Sequence, residues 1–276
     1  MQLKPKVKTS AIYVAASLIS LFYILPLAWM VILSTNTRED VYKFPPPITF
    51  GSATGDNLQR LLEGIPFIKA LWNSFYVSGL QTLLVLLVSS LTAYALSKYT
   101  RVRGRKLVLG IIIGSIMIPP LAGLIPWFIV IKNLGWLDTH WGLIIPPAAN
   151  AFGVFWLYQF IDRAIPKEIY EAAKVDGASD LRTFSSIVLP LIRPGLAALG
   201  ILTFLNAWQN FQTPLLLLND ENLFTLPLAL TNLSTLYATD VSAVMLGTTI
   251  SIIPLLIAFL LMMKHFIEGL TNGSVK

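Results

Sequence analysis

Six long apolar runs divide the chain, at about 11–33, 72–97, 107–131, 142–161, 195–218 and 241–263. Each approaches the roughly 20 residues a helix needs to cross a hydrocarbon core of about 30 Å. None of the six contains Asp, Glu, Lys, Arg or His. The pattern predicts an all-α polytopic membrane protein with six transmembrane helices, forming one unit over residues 1–276. Prolines interrupt the runs at Pro26, Pro119, Pro120, Pro126, Pro146, Pro147, Pro214 and Pro254. Each removes a backbone donor and kinks its helix, and neighbouring helices re-satisfy the freed groups. Packing geometry and a bundle that flexes both fit that punctuation.

Composition agrees: 55% of the residues are hydrophobic, only 12% are charged, and the mean hydropathy is +0.70. Soluble domains carry about twice that charge fraction. The net charge of +6 reflects topology rather than nucleic acid. With a cytoplasmic N-terminus, fifteen of the twenty basic residues fall on the cytoplasmic side and five (Arg38, Lys43, Arg60, Lys69 and Lys132) on the other. That is the positive-inside distribution, and it puts both termini in the cytoplasm. The first apolar run, 23 residues long, exceeds the roughly 7–15 of a cleavable signal, so it reads as an uncleaved span.

Several chemistries are missing. Cysteine is absent, which removes disulfides, thiol catalysis and iron–sulfur sites. No Gly-x-x-x-x-Gly-Lys-Ser/Thr phosphate cradle occurs, so the chain is expected neither to hydrolyse ATP nor to hold a cofactor or metal. The two histidines, His140 and His265, fall on opposite sides of the membrane in this topology. Proton- or sodium-coupled carriers commonly keep ionisable relays within the bilayer, and the six runs have none. Work must then come from a partner, unless the protein is an ATP-independent carrier or facilitator. An intramembrane enzyme would lack a catalytic constellation.

The polar segments complete the outline. The loop from Thr35 to Leu71 is stiffened by Phe44-Pro45-Pro46-Pro47 and broken further by Gly51 and Gly55. The basic turn Tyr99–Arg105 reads as a topology anchor. The loop Asn219–Asp240 has three acids and no base. The longest cytoplasmic segment, 162–194, reads as two short helices. Pro166 and Glu168 suit the start of the first, Lys167–Glu171 and Glu171–Lys174 are spaced to pair, and Gly177 permits the left-handed stop. Ser179 or Asp180 caps the second, which runs through Phe184, Ile187 and Val188 to Pro190. Ile169, Ala172, Ala173 and Asp176 share a face by their three- and four-residue spacing. Two alanines there make a smooth surface for another protein's backbone, with Glu171 at its edge; an amphipathic loop lying on headgroups fits as well.

Glu171-Ala172-Ala173, Asp176-Gly177-Ala178, Ile187-Val188-Leu189-Pro190 and Pro194-Gly195 together resemble the EAA loop of permease subunits of bacterial ABC importers. More narrowly, the chain is similar to the second, six-span permease of the carbohydrate uptake branch, the maltose and glycerol-phosphate type. Asn73-Ser74, Ala93-Tyr94-Ala95-Leu96 and the tail Gly269–Lys276 add to the resemblance. It implies a type I ABC importer permease fold in a bacterial or archaeal inner membrane. A coupling helix would dock in a cytoplasmic ATPase dimer, which binds the ATP and Mg. Glu171 would then engage a basic residue, Ala172, Ala173, Asp176 and Ala178 would lie at the contact, and Gly177 would make the turn. The implied partners are a second permease in a heterodimer, the ATPase dimer and an extracytoplasmic solute-binding protein meeting the Asn219–Asp240 loop; the tail would reach into the ATPase interface.

In the fifth run, Asn206, Gln209, Asn210 and Thr213 are spaced to share one helical face, interleaved with Trp208 and Phe211. Uncharged amides beside aromatic rings suit a neutral polyhydroxylated solute; interhelical hydrogen bonding is the alternative. The family's usual Trp-Asn-x-Phe is replaced here by Trp208-Gln209-Asn210-Phe211.

Overall fold

The computed structural model describes residues 5–234 and 239–271, so the end of the tail, 272–276, lies outside the described residues. The protein is all-helical; a single antiparallel bridge, Ser234 to Thr239, is the extended pairing among the described residues. Four helices are long and apolar enough to cross a membrane: Ile12–Thr35, Phe67–Lys98, Trp141–Ala164 and Val241–Leu260. Two further pairs qualify only as broken spans, Arg105–Ile116 with Pro120–Asn133 and Asp180–Leu191 with Arg193–Trp208, bent by 100° and 79°.

The bends follow from proline chemistry. A residue before proline is pushed out of the helical region, and Pro119, which precedes Pro120, sits at ψ 128°. Helix α4 (Arg105–Ile116) therefore ends before the pair, and α5 (Leu124–Asn133) starts afresh beyond a 3-10 turn. Pro126 falls in the first turn of α5, where its missing N–H has no intrahelical partner to lose.

The chain divides into two compact units, Met1–Ile68 with Ala229–Ile253, and Lys69–Leu228 with Pro254–Lys276. In the first unit, α1 (Pro5–Thr35) ends against α2 (Thr54–Gly64). The sequence reading left residues 35–71 without a helix. The structure builds α2 there because Asn57 and Leu61, one turn apart, are both fully buried. The Asn57 amide donates to the carbonyls of Ser34, at 2.7 Å, and Asn36, at 2.9 Å, satisfying the end of α1. Arg60 pairs at 2.8 Å with Asp240, whose other carboxylate oxygen caps the last long helix, α13 (Val241–Thr271), through the Ala243 N–H. A Cβ at Gly51 would meet the Thr35 carbonyl oxygen at 2.5 Å, so only glycine fits that approach.

The second unit is organised by α3 (Phe67–Lys98), α6 (Trp141–Ile144), α7 (Ala151–Ala164) and α11 (Arg193–Trp208). Asn150 caps α7 by accepting from the Gly153 N–H at 2.7 Å. A Cβ on Gly153 would lie 2.6 Å from Ser89 Oγ and 3.3 Å from Leu199, so α3 and α11 close on α7 at that point. At one end of these helices, Ala93, Leu157, Ile161, Val188, Ile192 and Leu199 form the centre of a buried apolar cluster. Elsewhere long helices expose their apolar side chains, as Ile12, Leu18 and Phe22 do on α1, a surface suited to lipid rather than water.

Gly153→Val is expected to lower the stability of the purified protein by about 1–3 kcal/mol through overpacking. Thermal unfolding in detergent, followed by tryptophan fluorescence, measures the loss; an unchanged midpoint would contradict the close approach.

Candidate coupling site

The 162–194 segment folds into a compact helical elbow. Helix α8 (Lys167–Val175) starts after Pro166, which stands at the cap with extended backbone. It ends in a two-bond glycine stop. Gly177 adopts φ +71°, its N–H reaches the Lys174 carbonyl at 3.1 Å, and the Ala178 N–H reaches the Ala173 carbonyl at 2.9 Å. Those bonds satisfy carbonyls a helix end would leave orphaned. Helix α9 (Asp180–Thr183) follows, with Ser179 rather than Asp180 as its cap: the Ser179 hydroxyl accepts from the Arg182 N–H at 3.3 Å. The helix does not end at Pro190. It widens into a π turn over Phe184–Val188, continues as α10 (Leu189–Leu191) with Pro190 inside, and breaks at Ile192. The wider turn gives the proline ring room that an α turn would fill with a carbonyl.

The faces of α8 differ from the periodicity reading. Tyr170 and Ala173, three residues apart, point inward and are buried. Glu171, Ala172 and Asp176 are exposed, Ile169 and Ala178 half-buried, and Gly177 exposed. Ala172 and Ala173 do not share a face, because successive helical residues diverge by about 100°. The expected pairs Lys167–Glu171 and Glu171–Lys174 are also not formed: among the described residues the ion pairs are Lys43–Asp40, Arg60–Asp240 and Lys98–Asp180. What α8 presents outward is Glu171 and Ala172 beside Val175, which is 87% exposed; Leu181, 72% exposed, follows on α9.

The elbow is held by the end of α3. The Tyr94 ring lies 6.1 Å from that of Tyr170 and 5.4 Å from that of Phe184, within the range where aromatic pairs add to burial. The Asp180 carboxylate accepts from Lys98 Nζ and from Tyr99 Oη. Those two donors hold the Asp180 pKa below its ordinary value, and the same carboxylate pushes the Tyr99 phenol up. Arg105 donates at 2.7 Å to both the Leu96 carbonyl and Tyr158 Oη. The basic turn therefore does more than mark topology. Sequence reading missed Lys98, Tyr99 and Asp180 as a group because the partners stand 82 and 81 residues apart.

The fifth apolar run is not one helix. Helix α11 stops at Trp208, Gln209 is its cap residue, and α12 (Gln212–Leu217) begins beyond a break. Pro214 cannot donate, and the Asn210 side chain instead accepts from the Thr213 N–H at 3.1 Å and donates to its hydroxyl at 3.0 Å. Asn206, Gln209, Asn210 and Thr213 thus do not line a single helical face; the first two are exposed and the others half-buried. The loop that follows is built rather than loose. Asn73 donates to the carbonyls of Asn222 and Phe224, Ser74 Oγ accepts from the Leu226 N–H, and His140 Nε2 bonds the Leu223 carbonyl. Asp138 Oδ1 accepts from the N–H groups of Asn219 and Asp220, and Asp220 in turn accepts from Asn222. Of the acids expected to face a partner, Asp220 is engaged in this turn and Asp240 with Arg60. Among the described residues no cluster of His, Asp or Glu could hold a metal.

Several helices long and apolar enough to cross a membrane, with a short helical elbow held on an aromatic mount, define a polytopic helical membrane protein. Residues 86–272 match the family described as binding-protein-dependent transport system inner membrane component. The chain is 34% identical to the lactose transport system permease protein LacG of Rhizobium radiobacter, over 96% of this chain and 95% of that one. It is 31% identical to the trehalose/maltose transport system permease protein MalG of Thermococcus litoralis, over 98% and 97%. A crystal structure of a bacterial ABC transporter involved in import of the polysaccharide alginate has a chain of the same fold, with a TM-score of 0.80 and 24% identity over 96% of this chain and 100% of that one. The chain belongs to this family: it is a multi-pass inner-membrane permease subunit of a binding-protein-dependent ABC transporter. ATP binding resides in the system's separate ATPase, which sets aside the ATP-independent carrier.

Two outcomes follow. Gly177→Val places a branched side chain at φ +71°, costing about 1–2 kcal/mol locally, and is expected to loosen the α8 stop, read as faster hydrogen exchange, corrected for intrinsic rates, at Ala178. The Asp180 contact is present above its ordinary pKa of 3.8 and is lost as the pH falls through its lowered value. Exchange in α9, corrected for intrinsic rates, should rise over that acid range in the wild type; in Asp180→Asn it should start high and stay flat.

Proposed function

We propose that this chain forms half of the translocation path of a sugar importer and is driven through α8. Six spans, at about 11–33, 72–97, 107–131, 142–161, 195–218 and 241–263, make one transmembrane unit with both termini and the 162–194 elbow in the cytoplasm. A second, related permease completes a heterodimer, an ATPase dimer receives the elbow, and a solute-binding protein docks on the opposite face. The relatives' stated solutes support a carbohydrate cargo: lactose, trehalose/maltose, and melibiose/raffinose/stachyose.

The observation that carries the coupling role is the two-sidedness of α8. Tyr170 and Ala173 anchor it inward, leaving Glu171, Ala172 and Val175 exposed and turned outward, with no ion pair to Glu171 among the described residues. An exposed carboxylate beside a small residue and an apolar one suits docking to a basic, shallow groove. Asp176, Gly177 and Ala178 end the helix so that this face stays short. Asn206, Gln209, Asn210 and Thr213, gathered about the break between α11 and α12, are the proposed polar lining of the path. A helix break there frees backbone groups as well as amides for a hydroxylated solute.

Glu171→Lys is expected to release the ATPase from detergent-purified complex and to lower uptake at least about tenfold, as charge reversal at a docking face does. Insertion of the permease should be unaffected. Full ATPase retention and wild-type uptake in that variant would reject the coupling role.

A further inference from the structure

Asp180 lies beyond the stretch assigned to docking, yet three side chains from the end of α3 converge on it. Lys98 Nζ and Tyr99 Oη each take one carboxylate oxygen, and Tyr94 Oη donates to the Asp180 carbonyl at 3.2 Å. Lys98 also donates to Tyr94 Oη at 2.9 Å and stands 5.3 Å from the centre of that ring. The lysine side chain is only 18% exposed while the aspartate is 60% exposed. The other acids of the elbow, Asp162, Glu168, Glu171 and Asp176, form no ion pair among the described residues, so the pairing is selective.

A lone exposed ion pair contributes little stability. Several charge-assisted donors on one carboxylate fix its direction far better than its energy suggests. The apolar contacts beneath, Tyr94 against Tyr170 and Phe184, supply attraction but impose less direction. We propose that Asp180 and Lys98 form a latch fixing the angle between the elbow and α3. A push on α8 then moves α3 with it instead of being absorbed by rotation of the elbow on its aromatic bearing. The inference rests on α8 being the docking helix, and it makes Asp180 and Lys98 positioning residues. Its modest strength suits a contact that is remade in each transport cycle.

This chain has no cysteine, so two introduced cysteines carry the only labels on it when it is assembled with cysteine-free partner subunits. Spin labels on Lys174→Cys in α8 and Leu91→Cys in α3, read in the assembled complex with and without ATP, report the angle directly. The latch predicts one narrow distance that shifts as a single population when ATP is added. Asp180→Asn and Lys98→Met should each lose that narrow distance while the ATPase stays bound, and Asp180→Glu should keep it. The exchange Lys98→Asp with Asp180→Lys should recover it. Narrow, ATP-responsive distances in both single variants would overturn the latch, as would a glutamate variant as broad as the asparagine. ATPase release by Glu171→Lys, scored on the same preparations, tests the docking role separately: retention there fails that reading whatever the latch variants do.

Discussion

Burial of Tyr94 between Tyr170 and Phe184 is the contact on which the 162–194 elbow depends. It joins the far end of a long apolar helix to a short polar elbow that would otherwise hold too little apolar surface to fold. An isolated nine-residue helix such as α8 is marginal in water. Its helicity is therefore borrowed from tertiary packing, with Ala173 and Tyr170 seated inward and the glycine stop closing its end. Once that side is fixed, the opposite side is free to carry chemistry for another protein.

Much of this was visible in the chain beforehand. Apolar runs without a charge translate directly into helices, because backbone hydrogen bonds must be satisfied inside lipid; four of the six runs coincide with helices long and apolar enough to cross a membrane, and the other two fall in helix pairs bent at a break. Gly177 was readable for a similar reason, since little else enters the left-handed region at low cost. Other features were opaque for physical reasons. Whether Ala172 or Ala173 faces inward depends on which side of α8 Tyr170 is buried, and the ring it meets there, Tyr94, is supplied by a distant segment. Likewise Asp180 has an evident local role as a cap, and only the return of α3 beside it gives the role to Ser179 and turns the carboxylate toward Lys98. The break at Gln209–Phe211 follows from Pro214 and the side chain of Asn210, which compete with a helical pattern that the spacing of polar residues alone makes look continuous.

The two ends of the second unit use polar groups differently. Around Asn73, Ser74, Asp138 and His140, side chains bond backbone groups of the 219–226 loop, which holds a shape without needing charge. At the elbow, side chains bond side chains, and one of the partners is a carboxylate whose protonation can be changed. The first arrangement suits a platform of constant form; the second suits a joint.

The π turn over Phe184–Val188 carries one residue more than an α turn would need. Dropping that residue would leave the flanking helices intact but rotate them by about 100° against each other and draw them about 1.5 Å closer. Pro190 opposes such shortening, because its ring would then collide with the carbonyl four positions back. The proline thus serves as a length gauge: it keeps the count of residues between α9 and α11 fixed, so the two cannot drift out of phase.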